Sequence, residues 1–445
     1  MVKLFKLHKF FGLLSGFVLL ILGISGFFID HKEWSFLYNI TFKHLPQAAY
    51  DIDRELYDGY YIDSKDSEHR IVCAKRGIFE SFDDGETFKN ISHLQCNGIR
   101  EFNGEVYIAT NDGIKRFYNF MIKGFALNGE YITAISITED KVIAVIDKHY
   151  IVDISKSNPD SYKKYTVEID ENLLRDDIKL SRFVRDLHYG RGLLDDGLSL
   201  WINDYGALIL SLLAISGYMI WWYVHRVKRA KRSRKIIKWH ANIWSVIALI
   251  PLVVLAITGI FLDHSSGLAK FMRLVTIPHE VLPPVYSTLR RDIWSVDYDG
   301  SVYRVGNRYG VYKSTDLKNW EQDSKGLAFR MFRKGGVLYV SGMGAPNRIH
   351  DENGWHILKG TPHMFRDVMV DDGFVEYFSP RSTSLSLPTF DDATLYALMM
   401  SLHDGTFFAS WWIWVNDFVS IALFLLFVTG IIRWYKKRSK SLKAP

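Results

Sequence analysis

The chain has 445 residues, 48% of them hydrophobic and 15% aromatic, with a net charge of +6. That length exceeds one ordinary domain. The positive charge is not spread over a face but gathered in short clusters beside apolar runs, which excludes nucleic-acid binding as its meaning.

In chain order, four nearly charge-free runs stand out, at about residues 10–30, 205–224, 243–262 and 412–432. Each has the roughly 20 residues a membrane-spanning helix needs. The first is too long for a signal-peptide core, no small-residue cleavage site follows it, and a copy of it sits mid-chain, so a retained helix is expected. The expected plan is a first transmembrane helix at 1–31, a β-rich segment at 32–200 and a second helix at 201–225. A basic loop at 226–238 follows, then a third helix at 239–264, a second β-rich segment at 265–408, a fourth helix at 409–435 and a tail at 436–445. Lys3, Lys6 and Lys9 precede the first span, the run from His225 to Lys235 lies between the second and third, and Arg433, Lys436, Lys437 and Arg438 follow the fourth. The positive-inside rule therefore puts both termini and the central loop in the cytoplasm. Both β-rich segments are then outside, and periplasmic in a bacterial inner membrane.

The chain is a tandem duplication. His8 and His31 bracket the first span, and His240 and His264 bracket the third. Gly104-Glu105-Val106-Tyr107-Ile108 matches Gly336-Val337-Leu338-Tyr339-Val340. Leu187-His188-Tyr189-Gly190 matches Leu402-His403-Asp404-Gly405, and Trp201-Ile202-Asn203-Asp204 matches Trp414-Val415-Asn416-Asp417. The third span has one residue more between its histidines than the first, which a kink or bulge at Pro251 can absorb.

The outside segments read as short alternating strands between Asn-Gly and Asp-Gly turns. Ser81-x-Asp83-x-Gly85-x-Thr87-Phe88 is similar to the Asp-box turn of β-propellers, with a degenerate copy at Ser314 to Trp320. Neither segment is expected to close a core alone; together they are expected to form one β-rich, propeller-like body. Cys73 and Cys96 form a disulfide or remain two buried thiols, with equal weight. Each span also holds a small-residue pair: Ser25-Gly26, Ser216-Gly217, Thr258-Gly259 and Thr429-Gly430. Close helix packing explains these pairs, and room for a flat macrocycle is the alternative.

Three duplicated histidine pairs lie at span ends: His8/His240, His31/His264 and His188/His403. An imidazole in or near hydrocarbon is costly without a partner. Haem iron is such a partner, and two neutral imidazoles make a stable one-electron site. Taken singly, each pair reads as interfacial residues, caps or loop anchors; their repetition favours haem. No Cys, Met or Glu cluster completes a zinc or copper site at these positions. No Cys-x-x-Cys-His occurs, so no covalent haem is indicated.

Leu7-His8-Lys9-x-x-Gly12 with a span ending in Ser/Thr-Gly, and Leu-His-x-Gly ahead of an outgoing helix, resemble the PepSY-associated transmembrane family. That resemblance implies a four-helix, haem-binding electron carrier like the bacterial inner-membrane ferric-siderophore reductases. The expected protein is a membrane oxidoreductase with two or three b-type haems. It would take electrons from a cytoplasmic flavoprotein, reduced flavin or quinol and pass them outward to a ferric siderophore or other ferric chelate. His8 and His240 would hold the inner haem. His31, His264, His188 and His403 would serve the outer haem or haems. No residue is assigned a catalytic role. The alternatives are a haemless assembly or regulatory protein with a partner-binding ectodomain, and a chelate transporter, which few polar residues in the spans support.

Overall fold

The computed structural model describes residues 2–194, 197–227, 230–288, 291–371 and 374–442. Of the basic residues expected to mark the central loop, Lys228 and Arg229 lie outside the described residues, as does the end of the tail, 443–445.

The helices that matter here are α1 (Val2–Asp30), α2 (Leu180–His188), α3 (Leu198–His225), α4 (Ala230–His240), α5 (Ile243–Asp263), α6 (Leu395–Asp404) and α7 (Ile413–Leu442). By length and composition, α1, α3, α5 and α7 can each cross a membrane. They pack as a ring: α1 lies against α3 and α7, and α5 against the same two. Leu19, Leu210, Leu252, Val419 and Leu423 fill the centre. Phe10, Phe17, Trp222, Ile250 and Phe424 point outward and exposed. Helices apolar on both the inner and the outer face are built for lipid rather than water.

The segment expected as a basic loop at 226–238 is helical from Ala230 onward. Its Ala, Lys and Arg residues are good helix formers, and charge alone does not make a loop. The third span is interrupted here, between His240 and Ile243, whereas the first runs continuously from Val2 to Asp30; Pro251 sits inside α5. Helix α4 ends at His240, and Asn242 starts α5 by accepting from Ser245 N at 2.8 Å.

Beside the bundle stands the β-rich body. Three four-stranded antiparallel sheets come from the first segment, at 57–92, 96–126 and 132–166. Two come from the second, at 295–325 and 330–357, followed by a two-stranded sheet of Asp367–Asp371 and Phe374–Phe378. The first strands touch in sequence: Tyr57–Ile62, Cys96–Phe102, Ile132–Ile137, Ser295–Tyr298, Arg330–Lys334 and Asp367–Asp371, which returns to Tyr57–Ile62. The largest core joins both segments, with Val145 and Ile151 packed among Tyr286, Val305 and Tyr312. Cys73 and Cys96 are disulfide-bonded, linking the first sheet to the second. The Asp-box turn closes as its pattern demands: Asp83 accepts from Thr87 N at 2.9 Å and from Ser81 Oγ at 2.7 Å.

One buried carboxylate ties the sheets together. Asp58 lies 2.8 Å from Lys75, 3.1 Å from Arg330 and 2.7 Å from Arg366. Burial alone would raise its pKa, but these three cations hold the carboxyl well below the usual carboxylate range. Arg330 reaches onward to the carbonyls of Asn97 and Thr133, in the second and third sheets.

Two short strand pairs cross between the repeats. Thr41–Lys43 pairs with Asp392–Thr394, and Ile178–Lys179 pairs with Thr276–Ile277.

Candidate functional site

The Ser/Thr-Gly pairs hold imidazoles. His403 Nδ1 lies 3.0 Å from Ser25 Oγ, and His188 Nδ1 lies 3.0 Å from Thr258 Oγ1. His240 Nδ1 lies 2.7 Å from Ser216 Oγ, and His8 Nδ1 lies 2.8 Å from Thr429 Oγ1. In every case the histidine comes from one repeat and the hydroxyl from the other.

The proton positions follow from the helices. Each hydroxyl donates to a carbonyl one turn back: Ser25 to Ile21 O (2.7 Å), Ser216 to Leu213 O (3.1 Å), Thr258 to Val254 O (2.8 Å) and Thr429 to Leu425 O (2.7 Å). A hydroxyl has one hydrogen, so toward the imidazole it can only accept. Nδ1 therefore carries the ring proton, and Nε2 presents a lone pair. This is the tautomer of a metal-ligating histidine, fixed by its outer hydrogen bond.

The glycines lie beside the same rings, and of the four a Cβ would be tighter than ordinary contact at Gly26. A Cβ would stand 3.3 Å from His403 Cε1 at Gly26 and 3.5 Å from His188 Cε1 at Gly259. The distances are 3.8 Å to His8 Cε1 at Gly430 and 3.9 Å to His240 Cε1 at Gly217. The hydroxyl of each small pair thus holds an imidazole.

Four imidazoles make two pairs. At the end of the bundle next to the β-rich body, the His188 and His403 ring centroids are 6.1 Å apart. Two imidazoles facing each other across one metal ion, with metal–nitrogen bonds of about 2 Å, have centroids about 6 Å apart. At the far end, His8 and His240 are held in the same way by Thr429 and Ser216.

Local sequence explains the placement. The α2 helix ends at His188, and Gly190, in left-handed conformation at φ 62°, turns the chain back. Gly405, at φ 82°, does the same after α6, where a Cβ would run into the Trp412 ring. Asn203 Nδ2 donates to His188 O at 3.0 Å, and Asn416 Nδ2 to His403 O at 3.2 Å.

The third duplicated pair is held otherwise. His31 Nε2 lies 3.3 Å from Asp204, its Nδ1 2.9 Å from Glu33, and its ring stacks on Trp34 at 4.0 Å. His264 Nε2 lies 2.7 Å from Asp417. Both are engaged by carboxylates of their own repeat. Among the described residues, no group of three or more His, Cys, Asp or Glu side chains could hold a bare metal ion. The two imidazoles of a pair could instead hold a metal already bound in a macrocycle.

The residues that the motif reading left without a role toward the histidines are Ser25, Ser216, Thr258, Thr429, Asn203 and Asn416. Their signal was recurrence at matched positions in both repeats.

No curated protein matches the sequence. Among solved structures, the chain is similar to an ancestral GH74 enzyme at 12% identity and TM-score 0.32, over 68% of this chain and 31% of that one. It thus spans under a third of that enzyme's length. It is similar to YCF48 from Cyanidioschyzon merolae at 10% identity and TM-score 0.31, over 67% of each chain. It is also similar to the computationally designed Ika8 protein at 6% identity and TM-score 0.31, over 72% of this chain and 80% of that one. Likenesses at this level carry no argument. The family described as the PepSY-associated TM region matches residues 133–437, which takes in α2 to α6, most of α7 and three of the four long apolar helices. The chain belongs to the PepSY-associated transmembrane family.

Proposed function

We propose that the chain is a membrane cytochrome with two b-type haems, an inner one on His8 and His240 and an outer one on His188 and His403. The observation that carries this reading is the fourfold Nδ1-to-hydroxyl anchor, which leaves four Nε2 lone pairs, with the His188 and His403 ring centroids 6.1 Å apart. Haem with two imidazole ligands supplies one-electron redox chemistry. The chain's own residues keep each imidazole neutral, fix its rotation and surround it with apolar helix. His31 and His264 serve as carboxylate-paired residues at the outer end, so this reading has two haems rather than three.

Lys6, Lys9 and Arg433 gather at the His8/His240 end, which supports a cytoplasmic inner side and a periplasmic β-rich body in a bacterial inner membrane. The cyclic contact order of the six sheets supports a six-bladed propeller whose last blade has two strands. On this reading the protein is an oxidoreductase. It accepts electrons from quinol, reduced flavin or a cytoplasmic flavoprotein and reduces a ferric siderophore or similar chelate outside. Reduction loosens such a chelate, because hard oxygen ligands hold ferric iron better than ferrous. A pyridine-haemochrome assay on purified protein tests the reading: about two haems per chain are expected, falling to one in His8→Ala or His403→Ala. A preparation folded in detergent with no Soret band would refute it.

A further inference from the structure

A duplicated protein is two-fold symmetric where it grips the irons, but haem is not: both propionates leave one edge. Something must break the symmetry to choose that edge. The four hydroxyl-held imidazoles do not, since each has its counterpart. The cations around them do.

At the inner site, Arg433 lies four residues beyond Thr429 on α7, hence on the same helix face, one turn nearer the end. Its guanidinium lies 4.8 Å from the Phe5 ring, and its charge acts on both His8 and His240. Among the described residues it has no carboxylate within salt-bridge distance. The matching residue, four beyond Ser216 on α3, is Ile220. At the outer site, Lys32 lies in the turn just past α1, two residues beyond Asp30. Lys32 Nζ is 5.9 Å from the Tyr189 ring, next to His188, and Arg191 Cζ is 5.2 Å from that same ring. Lys32 Nζ is also 5.9 Å from the Tyr396 ring. Arg191 has only a 3.8 Å approach to Asp186, and its Nε is buried without a partner among the described residues. The matching residues in the other repeat are Ser265 and Thr406, both neutral. So each site has cations from one repeat where the matching residues of the other repeat are neutral.

We propose that Arg433 at the inner site, and Lys32 with Arg191 at the outer site, bind the haem propionates and set the orientation of each haem. This rests on the two-haem reading and adds which edge of each haem faces which repeat. A carboxylate needs a cation or several N–H donors when taken from water, and a charged side chain near hydrocarbon needs the reverse. Each supplies what the other lacks.

The test is a spectroelectrochemical titration of the purified protein with variants that borrow the other repeat's residue. Arg433→Ile should move the inner haem to lower potential, because an uncompensated propionate disfavours the added electron, and leave the outer haem unmoved. Lys32→Ser with Arg191→Thr should do the converse. Arg433→Lys and Lys32→Arg, which keep the charge, should stay near wild type. Titrations of both charge-removing variants that superimpose on wild type would overturn the proposal. So would equal haem loss in charge-removing and charge-keeping variants, which marks a purely structural role. A wild-type protein without haem would sink the cytochrome reading itself, a separate and visible outcome.

Discussion

Thr258→Val is the sharpest perturbation of the candidate site. Valine nearly copies threonine's volume but cannot accept from His188 Nδ1, now 3.0 Å from the hydroxyl. The change leaves a buried N–H without a partner, worth about 1–3 kcal/mol. It also frees the imidazole to take the tautomer that puts the proton on Nε2, where it blocks ligation. Loss of an outer hydrogen bond of this kind costs about 10–100-fold in metal affinity, and tenfold is about 1.4 kcal/mol. The two estimates agree. Haem transfer to apomyoglobin should therefore release the outer haem about 10–100-fold more readily from Thr258→Val than from wild type. Thr258→Ser keeps the acceptor and should behave as wild type. The inner haem, anchored by Ser216 and Thr429, should not change. Equal haem retention in Thr258→Val and wild type would refute the claim that the hydroxyl sets the tautomer.

Gly26→Ala places a Cβ 3.3 Å from His403 Cε1 and should lower outer haem content, whereas Gly217→Ala, at 3.9 Å from His240, should be tolerated; equal loss in both would dissociate the glycines from the rings. The double variant His31→Ala/His264→Ala should keep two haems per chain by pyridine haemochrome, since Asp204 and Asp417 engage these imidazoles; one haem would return them to ligand status. Replacing Cys73 and Cys96 together by Ala opens a loop of sequence separation 23 and should destabilise the β-rich body by about 3 kcal/mol in denaturant titration; an unchanged midpoint would contradict this. Asp58 has a lowered pKa in the folded protein, so its stabilisation is complete above the unfolded carboxyl's pKa of about 4 and fades as pH falls toward the folded value. Asp58→Asn should therefore be less stable at neutral pH and lose less on acidification, read by thermal melts from pH 7 to 3; parallel pH profiles would refute the linkage.

Much of this was legible because the signals are local. An apolar run of about 20 residues, or a Leu-His-x-Gly copied at a fixed interval, needs no tertiary contact to be seen. The meaning of Ser25-Gly26 was not legible, because its partner His403 lies 378 positions away. A small pair in a span fits helix packing just as well until the ring above it is located. The six repeated histidines looked alike in sequence; only the neighbouring carboxylates Asp204 and Asp417 separate His31 and His264 from the rest. The 226–238 stretch misled through its charge: eight Lys and Arg residues mark a membrane side, but say nothing against helix. The cysteines left a choice that spacing alone could not make, since a disulfide depends on which strands end up adjacent.

The β-rich body has a mechanical part in the candidate site, and the topology shows how. Ser25 sits on α1, and the strand Thr41–Lys43 follows it after one short helix, Phe36–Asn39. That strand pairs with Asp392–Thr394, which leads straight into α6 and His403, and His403 returns to Ser25. Thr394 also caps α6, accepting from Ala397 N at 3.1 Å. The other half repeats the circuit: Thr258 on α5, strand Thr276–Ile277, its partner Ile178–Lys179, then α2, His188 and back to Thr258. Each outer imidazole is therefore closed into a circuit through the span, one strand pair, the helix that carries it and one hydrogen bond. An imidazole on a free loop would wander by more than an axial bond tolerates. Here the helix that carries it starts from a strand whose partner is anchored to the very span that receives it. Because each circuit uses both repeats, neither half of the chain can place an outer histidine alone, and the two large segments must pack together for the imidazoles to face each other.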